Sequence, residues 1–320
     1  MKMNDIVKAI DNSPSVALIT HINPDGDAIG STLALMHALD KIGKLVDVYC
    51  QDDIPNTFYF LNGISRIIKP DQSIKKYDLV IALDCSDPER MGSCSVIMDK
   101  AIISANIDHH ISNTLYSDIN VVDGDASATG EIVYELINLL EIIPDKDIAE
   151  ALYTAIVSDT GRFSYSNTTP KTHRVVATLI EWGADIDKLS NLLFKNHSLE
   201  WIKLLGQAIN SLRIYHDGKV AIMHITKEMM AKAGATEEHS NGIIQYAKDI
   251  SGVELAAVLR EVDDSTIKVS LRSQSIVDVS VLAKKFGGGG HRRASGCTIN
   301  LPLIQAQENL MKAIDLYFEE

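Results

Sequence analysis

Apolar residues run almost unbroken through 15–20 (SVALIT), 44–50 (KLVDVYC), 78–83 (DLVIAL) and 100–107 (KAIISANI). Runs this short, without strict alternation, mark strands buried on both faces. Residues 28–41 carry apolar positions at helical spacing, so strands and helices alternate, as a parallel sheet in α/β layers requires. The first fifteen residues, MKMNDIVKAIDNSPS, read as an amphipathic helix. From residue 127 the pattern is helical for a long stretch: helices are expected near 127–141 and 145–159, with two more between 170 and 195.

The second half changes period. Residues 196–211 read as a helical linker. Residues 213–226 (RIYHDGKVAIMHIT) alternate on both sides of Asp217-Gly218, a hairpin signal. A second hairpin fits 254–272, turning at Asp263-Asp264. A short helix over 278–286, four glycines, a strand and a helix complete the chain. The expected fold is therefore α/β, with a parallel-sheet N-terminal domain (1–190), a helical linker (191–211) and a smaller α+β C-terminal domain (212–320).

Composition narrows the classes. At 320 residues, 46% hydrophobic and 23% charged, the chain is globular rather than disordered. No apolar run approaches the ~18 residues of a membrane span, and the N-terminus lacks the apolar core and cleavage site of a signal peptide. Cys50, Cys85, Cys94 and Cys297 show no C-x-x-C pair and read as buried thiols of a cytoplasmic protein. The net charge of −13 repels a long polyanion outside any local basic patch, so a small substrate is favoured over long duplex nucleic acid.

Acids and histidines gather just after the expected strands. His21, Asp25 and Asp27 follow the first, Asp84 closes DLVIALD, and Asp108, His109 and His110 close AIISANIDHH. Ligands of open α/β sheets bind beyond the carboxyl ends of the strands, so these segments converge on one rim. Asp159 ends a helix in IVSDTGRF, and periodicity alone does not place it there. Crowded carboxylates are costly unless protonated or bound to cations. Imidazole with carboxylate suits Mn²⁺, Fe²⁺, Co²⁺ or Zn²⁺. Two such ions would activate water and offset phosphoryl charge, which points to phosphate ester hydrolysis. Taken singly, each Asp also fits a helix cap, Asp25 or Asp27 at the helix beginning near residue 28 above all. Phe163 and Tyr165 read as core residues, with base stacking as the other reading.

HINPDGDAIGS, the DCSD around Asp84, Asp108-His109-His110 and SDTGRF resemble the motifs of the DHH phosphoesterases, and GGGGHRRASG resembles the signature of the DHH-associated domain. The resemblance spans nearly the whole chain and is strongest to the short NrnA-type members, oligoribonucleases and 3′-phosphoadenosine-5′-phosphate phosphatases. RecJ-type exonucleases share the motifs but carry extra domains. The resemblance implies one metal held by His21, Asp25 and Asp84 and a second held by Asp27, Asp84, His109 and Asp159. It assigns His110 to the substrate phosphate or leaving oxygen, with Asp108 orienting its neighbours. It also implies that Arg272 and His291 contact substrate.

Between residues 266 and 296 six basic residues, Lys268, Arg272, Lys284, Lys285, Arg292 and Arg293, face one acid, Asp278. Beside them Gly288, Gly289 and Gly290 can bring backbone N–H groups to an anion. The expected protein is thus a metal-dependent phosphodiesterase, with two Mn²⁺ ions, that degrades short oligonucleotides to mononucleotides; the resemblance leaves open a 3′-phosphoadenosine-5′-phosphate phosphatase activity beside it. Its site is expected in the cleft between the domains. A homodimer is compatible with the sequence. The other readings are a cyclic or linear dinucleotide phosphodiesterase, a RecJ-like single-strand exonuclease, an inorganic pyrophosphatase, and a binding protein without catalysis.

Overall fold

The computed structural model describes residues 2–71, 75–195 and 197–319, and the chain divides into two compact units, Met1–Asn196 and His197–Glu320. In the first, the run SVALI forms β1 (Ser15–Ile19), followed by β2 (Leu45–Tyr49), β3 (Ile67–Ile68), β4 (Tyr77–Leu83), β5 (Ala101–Asp108) and β6 (Ile119–Val122). All pair parallel, in the order β3-β2-β1-β4-β5-β6. The two-residue β3 and the half-exposed β6 carry too little apolar pattern to be read from sequence.

The continuous apolar strands do bury both faces. Val16, Leu18, Leu79 and Ile81 enter a large core with α1 (Lys2–Asp11), α2 (Gly26–Lys41), α4 (Thr129–Leu139), α5 (Lys146–Asp159), α6 (Pro170–Glu181) and α7 (Ile186–Phe194). Their neighbours Ala17, Ile19, Val80 and Ala82 point the other way, onto Met91, Cys94 and Ile97, the last of these in α3 (Ser95–Met98). The reversal of strand order lies between β1 and β4, so the loops leaving those two strands open onto one crevice.

Close helix approach sets that crevice. A Cβ on Gly30 of α2 would stand 2.4 Å from the Ala151 carbonyl oxygen of α5, and one on Gly26 would meet the Ser158 hydroxyl at 2.0 Å. A Cβ on Gly130 of α4 would lie 2.7 Å from the Ala155 methyl. The three glycines therefore let α2, α4 and α5 converge at the end of the sheet where the acids lie.

The second unit is α+β. It runs through α8 (Leu199–Asn210), β7 (Arg213–Tyr215), β8 (Val220–Ile225), α9 (Lys227–Ala233), α10 (Ile244–Lys248), β9 (Leu255–Asp263), β10 (Thr266–Ser273), α11 (Val279–Lys284), β11 (Gly289–His291), β12 (Ala294–Ile299) and α12 (Leu303–Glu319). Both expected hairpins form, β7–β8 and β9–β10, while β8 and β9 pair parallel. Helix α8, read as a linker, packs Trp201, Leu204, Leu205 and Ala208 against Met223, Ile225 and Ile243 of this unit. No helix of the described residues is long and apolar enough to cross a membrane.

Replacing Gly30 by Ala should destabilise the first unit, even though Ala favours helix. The clashing atoms are two of the backbone and the Ala155 β-carbon, none of which can swing aside, so the expected loss is about 1–3 kcal/mol in chemical denaturation.

Candidate metal centre

The strand ends place the ligand-type residues as the alternation of elements requires. His21 lies just beyond β1, Asp25 and Asp27 open α2, Asp84 follows β4, Asp108 ends β5 before His109 and His110, and Asp159 ends α5. Asp84 adopts φ +58°, a left-handed conformation that costs a non-glycine residue about 1–3 kcal/mol. Its N–H donates to the Ile107 carbonyl at 3.0 Å, which fixes the turn across two strands.

Asp25 carries two roles at once. Its Oδ1 accepts the Asp27 and Ala28 N–H groups at 3.1 Å each, capping α2. The same oxygen lies 3.8 Å from His21 Nε2. The Asp84 carboxylate splits between two groups: Oδ2 is 3.4 Å from His21 Nε2 and Oδ1 is 3.7 Å from His109 Nε2. His109 Nε2 is also 3.7 Å from Asp27 Oδ2 and 3.6 Å from Asp159 Oδ2. Candidate ligand atoms lie within 4.8 Å of one another in each of three sets: His21, Asp25 and Asp84; Asp27, His109 and Asp159; and Asp84, His109 and His110.

Ring orientation favours metal binding at Nε2 of two histidines. His21 Nδ1 sits 2.8 Å from the Ile22 carbonyl and His109 Nδ1 sits 3.3 Å from the Ala126 carbonyl. Each carbonyl accepts from Nδ1–H, which leaves Nε2 as the ring atom facing the acids. His110 is turned otherwise. Its Nδ1 is 2.7 Å from Asp108 Oδ1, so Nε2 points away from that carboxylate. The Asp108 hydrogen bond, against the opposing effect of burial, raises the His110 imidazole above its ordinary range. Burial works against the Asp108 carboxylate, but His110 and Asn113 outweigh it and hold it low.

Among the protein's own groups the acids are poorly matched. Burial first, then the charges of Asp84, Asp159 and Asp25, push the Asp27 carboxyl well above the carboxylate range. Burial likewise lifts Asp159, against the pull of His109, to about 6. Burial would lower His21, yet Asp25 and Asp84 reverse that and raise it to about 10. Oxygen and imidazole donors clustered this way, with no thiolate among them, fit divalent cations that accept both donor types.

Several supporting residues carry no pattern that sequence reading could find. Helix α4 has no side-chain cap of its own at Ala128. Asp27 supplies it from α2, taking the Thr129 N–H at 2.6 Å and the Gly130 N–H at 3.0 Å, with the Ser31 hydroxyl donating at 2.8 Å. The Thr129 hydroxyl donates to Asp84 Oδ1 at 3.0 Å. Asn113 donates to Asp108 at 2.6 Å, and Asn167 to Asp159 at 3.3 Å. Phe163 packs partly against the core, as expected. Tyr165 does not: it is half-exposed and lies over Gly161, where a Cβ would be 2.4 Å from its ring.

The remaining candidates belong to the second unit. Arg272 lies on β10, its Nη1 donating to the Leu271 carbonyl at 2.9 Å. Gly288 is pressed against β12, with the Gly296 carbonyl oxygen 2.2 Å from where a Cβ would stand. Gly289 and Gly290 pair in β11 with Gly296 and Ser295, so they form a strand rather than an open loop. His291 ends β11, and its side chain lies outside the described residues.

Residues 15–156 match the model of the DHH family, N-terminal domain, and residues 217–320 that of the DHHA1 domain. The chain is 34% identical to the bifunctional oligoribonuclease and PAP phosphatase NrnA of Thermus thermophilus, over 97% of this chain and 91% of that one. It is 29% identical to the Bacillus subtilis protein of the same name, over 92% of each. The crystal structure of an exopolyphosphatase-related protein from Bacteroides fragilis superimposes with a TM-score of 0.93 at 28% identity, covering 99% of this chain and 96% of that one.

If a divalent ion such as Mn²⁺ binds with His21 among its ligands, its uptake should release protons. A ligand whose proton affinity is raised, as for His21, must lose its proton to bind. The His21 proton is still held between pH 6 and 8, so affinity should rise about tenfold per pH unit there, one proton for each ion at that set. Calorimetry in buffers of differing ionisation enthalpy measures this. An affinity flat with pH would remove His21 from the ligands.

Proposed function

The chain belongs to the DHH family, and from that premise we propose that it is a two-metal phosphoesterase that cleaves short oligonucleotides to mononucleotides and hydrolyses 3′-phosphoadenosine-5′-phosphate. The observation that carries the reading is the Asp84 carboxylate, which presents one oxygen to His21 and the other to His109. A carboxylate placed so can be shared by two ions. The names of the relatives, oligoribonuclease and PAP phosphatase, supply the substrate class.

In this reading His21, Asp25 and Asp84 hold one ion, and Asp27, Asp84, His109 and Asp159 hold the other. Mixed imidazole and carboxylate donors favour Mn²⁺ over Mg²⁺. Bound there, two divalent ions supply an acidified water and offset the charge that develops on phosphorus. His110 makes its own contribution: Asp108 keeps the proton on Nδ1, so Nε2 faces the substrate and donates a proton to the leaving oxygen as the P–O bond breaks. The Thr129 hydroxyl holds Asp84 in place through one oxygen. On the second unit we assign Arg272 and His291, with the backbone of Gly288, Gly289 and Gly290, to the substrate. The four cysteines are free and buried, in keeping with a cytoplasmic enzyme.

Product analysis on an equimolar mixture of a dinucleotide and a long single strand, in Mn²⁺ with an EDTA control, tests the reading. The dinucleotide should be converted first and EDTA should stop it; faster loss of the long strand would mark a processive exonuclease instead. Asp84→Ala should lose at least ~99% of turnover, because both ligand sets lose an oxygen. Arg272→Ala should raise KM by about tenfold with bound metal unchanged by elemental analysis. Metal loss in that variant would break the proposed division of roles.

A further inference from the structure

The C-terminal sheet carries a second charged site that shares none of the metal ligands. In the β9–β10 ladder Arg260 stands directly opposite Lys268. Like charges in that position destabilise a sheet. Arg260 is also 8% exposed, on a strand paired on both sides, and a buried guanidinium is costly unless it is well hydrogen-bonded.

Glu237 answers this only in part. It lies on a short turn (Glu237–Ser240), and its Oε1 alone accepts from both Arg260 Nη2 and, at 2.9 Å, Lys268 Nζ. One oxygen thus serves two cations, and among the described residues the two-pronged guanidinium is met by a single acceptor. The exposures are unequal: the Glu237 side chain is 59% exposed, that of Arg260 10%. The acid can swing out, whereas the arginine is fixed in the sheet. Around them Ser270, Arg272 and Asn241 complete a cavity of about 250 Å³ lined by three cations and one acid.

We infer that this cavity is a phosphomonoester subsite, in which Arg260 and Lys268 hold a terminal phosphate remote from the bond that is broken and Glu237 is the internal anion that the phosphate displaces. A phosphate offers three oxygens and nearly two charges where Glu237 offers one oxygen, so the exchange favours the ligand. The inference deepens the nucleotide reading above and rests on it. It also gives the two named activities of the relatives a common feature. A 5′-phosphorylated dinucleotide and 3′-phosphoadenosine-5′-phosphate each carry a phosphate that is not the one attacked.

The Mn²⁺ enzyme would be assayed on a dinucleotide with and without a 5′-phosphate. Wild type should favour the phosphorylated form by about tenfold in kcat/KM. Lys268→Ala, at a half-exposed side chain, should lose most of that preference through KM, and Glu237→Gln should widen it. An unchanged ratio in Lys268→Ala, or a narrower one in Glu237→Gln, overturns the subsite. Calorimetry of the full chain in EDTA, with AMP against adenosine, separates this result from the nuclease reading. AMP should bind about tenfold tighter than adenosine, and Lys268→Ala should abolish the difference. Equal binding of AMP and adenosine defeats the subsite even in an active nuclease. AMP binding of this kind in a protein that cuts no oligonucleotide keeps the subsite and defeats the nuclease.

Discussion

Asp25, Asp27, Asp84 and Asp159 are drawn together around two imidazoles, and like charges so placed repel unless something holds them. Much of the first unit can be understood as the apparatus that holds them. The N-terminus of α4, which lacks a cap of its own, is turned onto Asp27, so backbone N–H groups and the positive end of the helix face a buried carboxylate. Thr129 adds a hydroxyl to Asp84. Both contacts depend on a close approach of α2, α4 and α5, which Gly26, Gly30 and Gly130 permit, Gly30 against the backbone of α5 itself. Packing, capping and the strained turn at Asp84 are in this sense consequences of one electrostatic requirement.

The histidines sort themselves by what takes the proton on Nδ1. A carbonyl does so for His21 and His109, which turns Nε2 of each ring toward the acids. A carboxylate does so for His110, which favours the charged ring. Adjacent residues of one type, His109 and His110, are thereby turned differently by their neighbours. The pair Asp108–Asn113 extends the second arrangement, since Asn113 also donates to Asn106 at 2.7 Å and so ties the loop back to β5.

This sorting shows where sequence reading succeeds and stops. The apolar runs gave β1, β2, β4 and β5 because a strand buried on both faces has no polar position to blur it. They missed β3 and β6, which lie at the sheet edges and bury little. The ligand-type residues were visible because strand ends in a parallel sheet share one rim. The contacts that orient them were not, since Asp27 reaches α4 across 102 residues and Thr129 reaches Asp84 across 45. No local period encodes such pairings. Gly288 shows a related limit: a glycine demanded by the Gly296 carbonyl looks the same in sequence as one that makes room for an anion, and the two demands can fall on one residue.

The charge distribution bears on substrate length. A chain of net charge −13 repels each phosphate that lies within about 8 Å of its surface at physiological salt, so every nucleotide added beyond a local basic site adds cost. The basic residues between 266 and 296, together with Arg260, are enough to compensate a few phosphates and no more. On the proposed reading, selection for short substrates would require no wall at the end of a groove; it would follow from the excess of acids over cations, and it should weaken as salt rises.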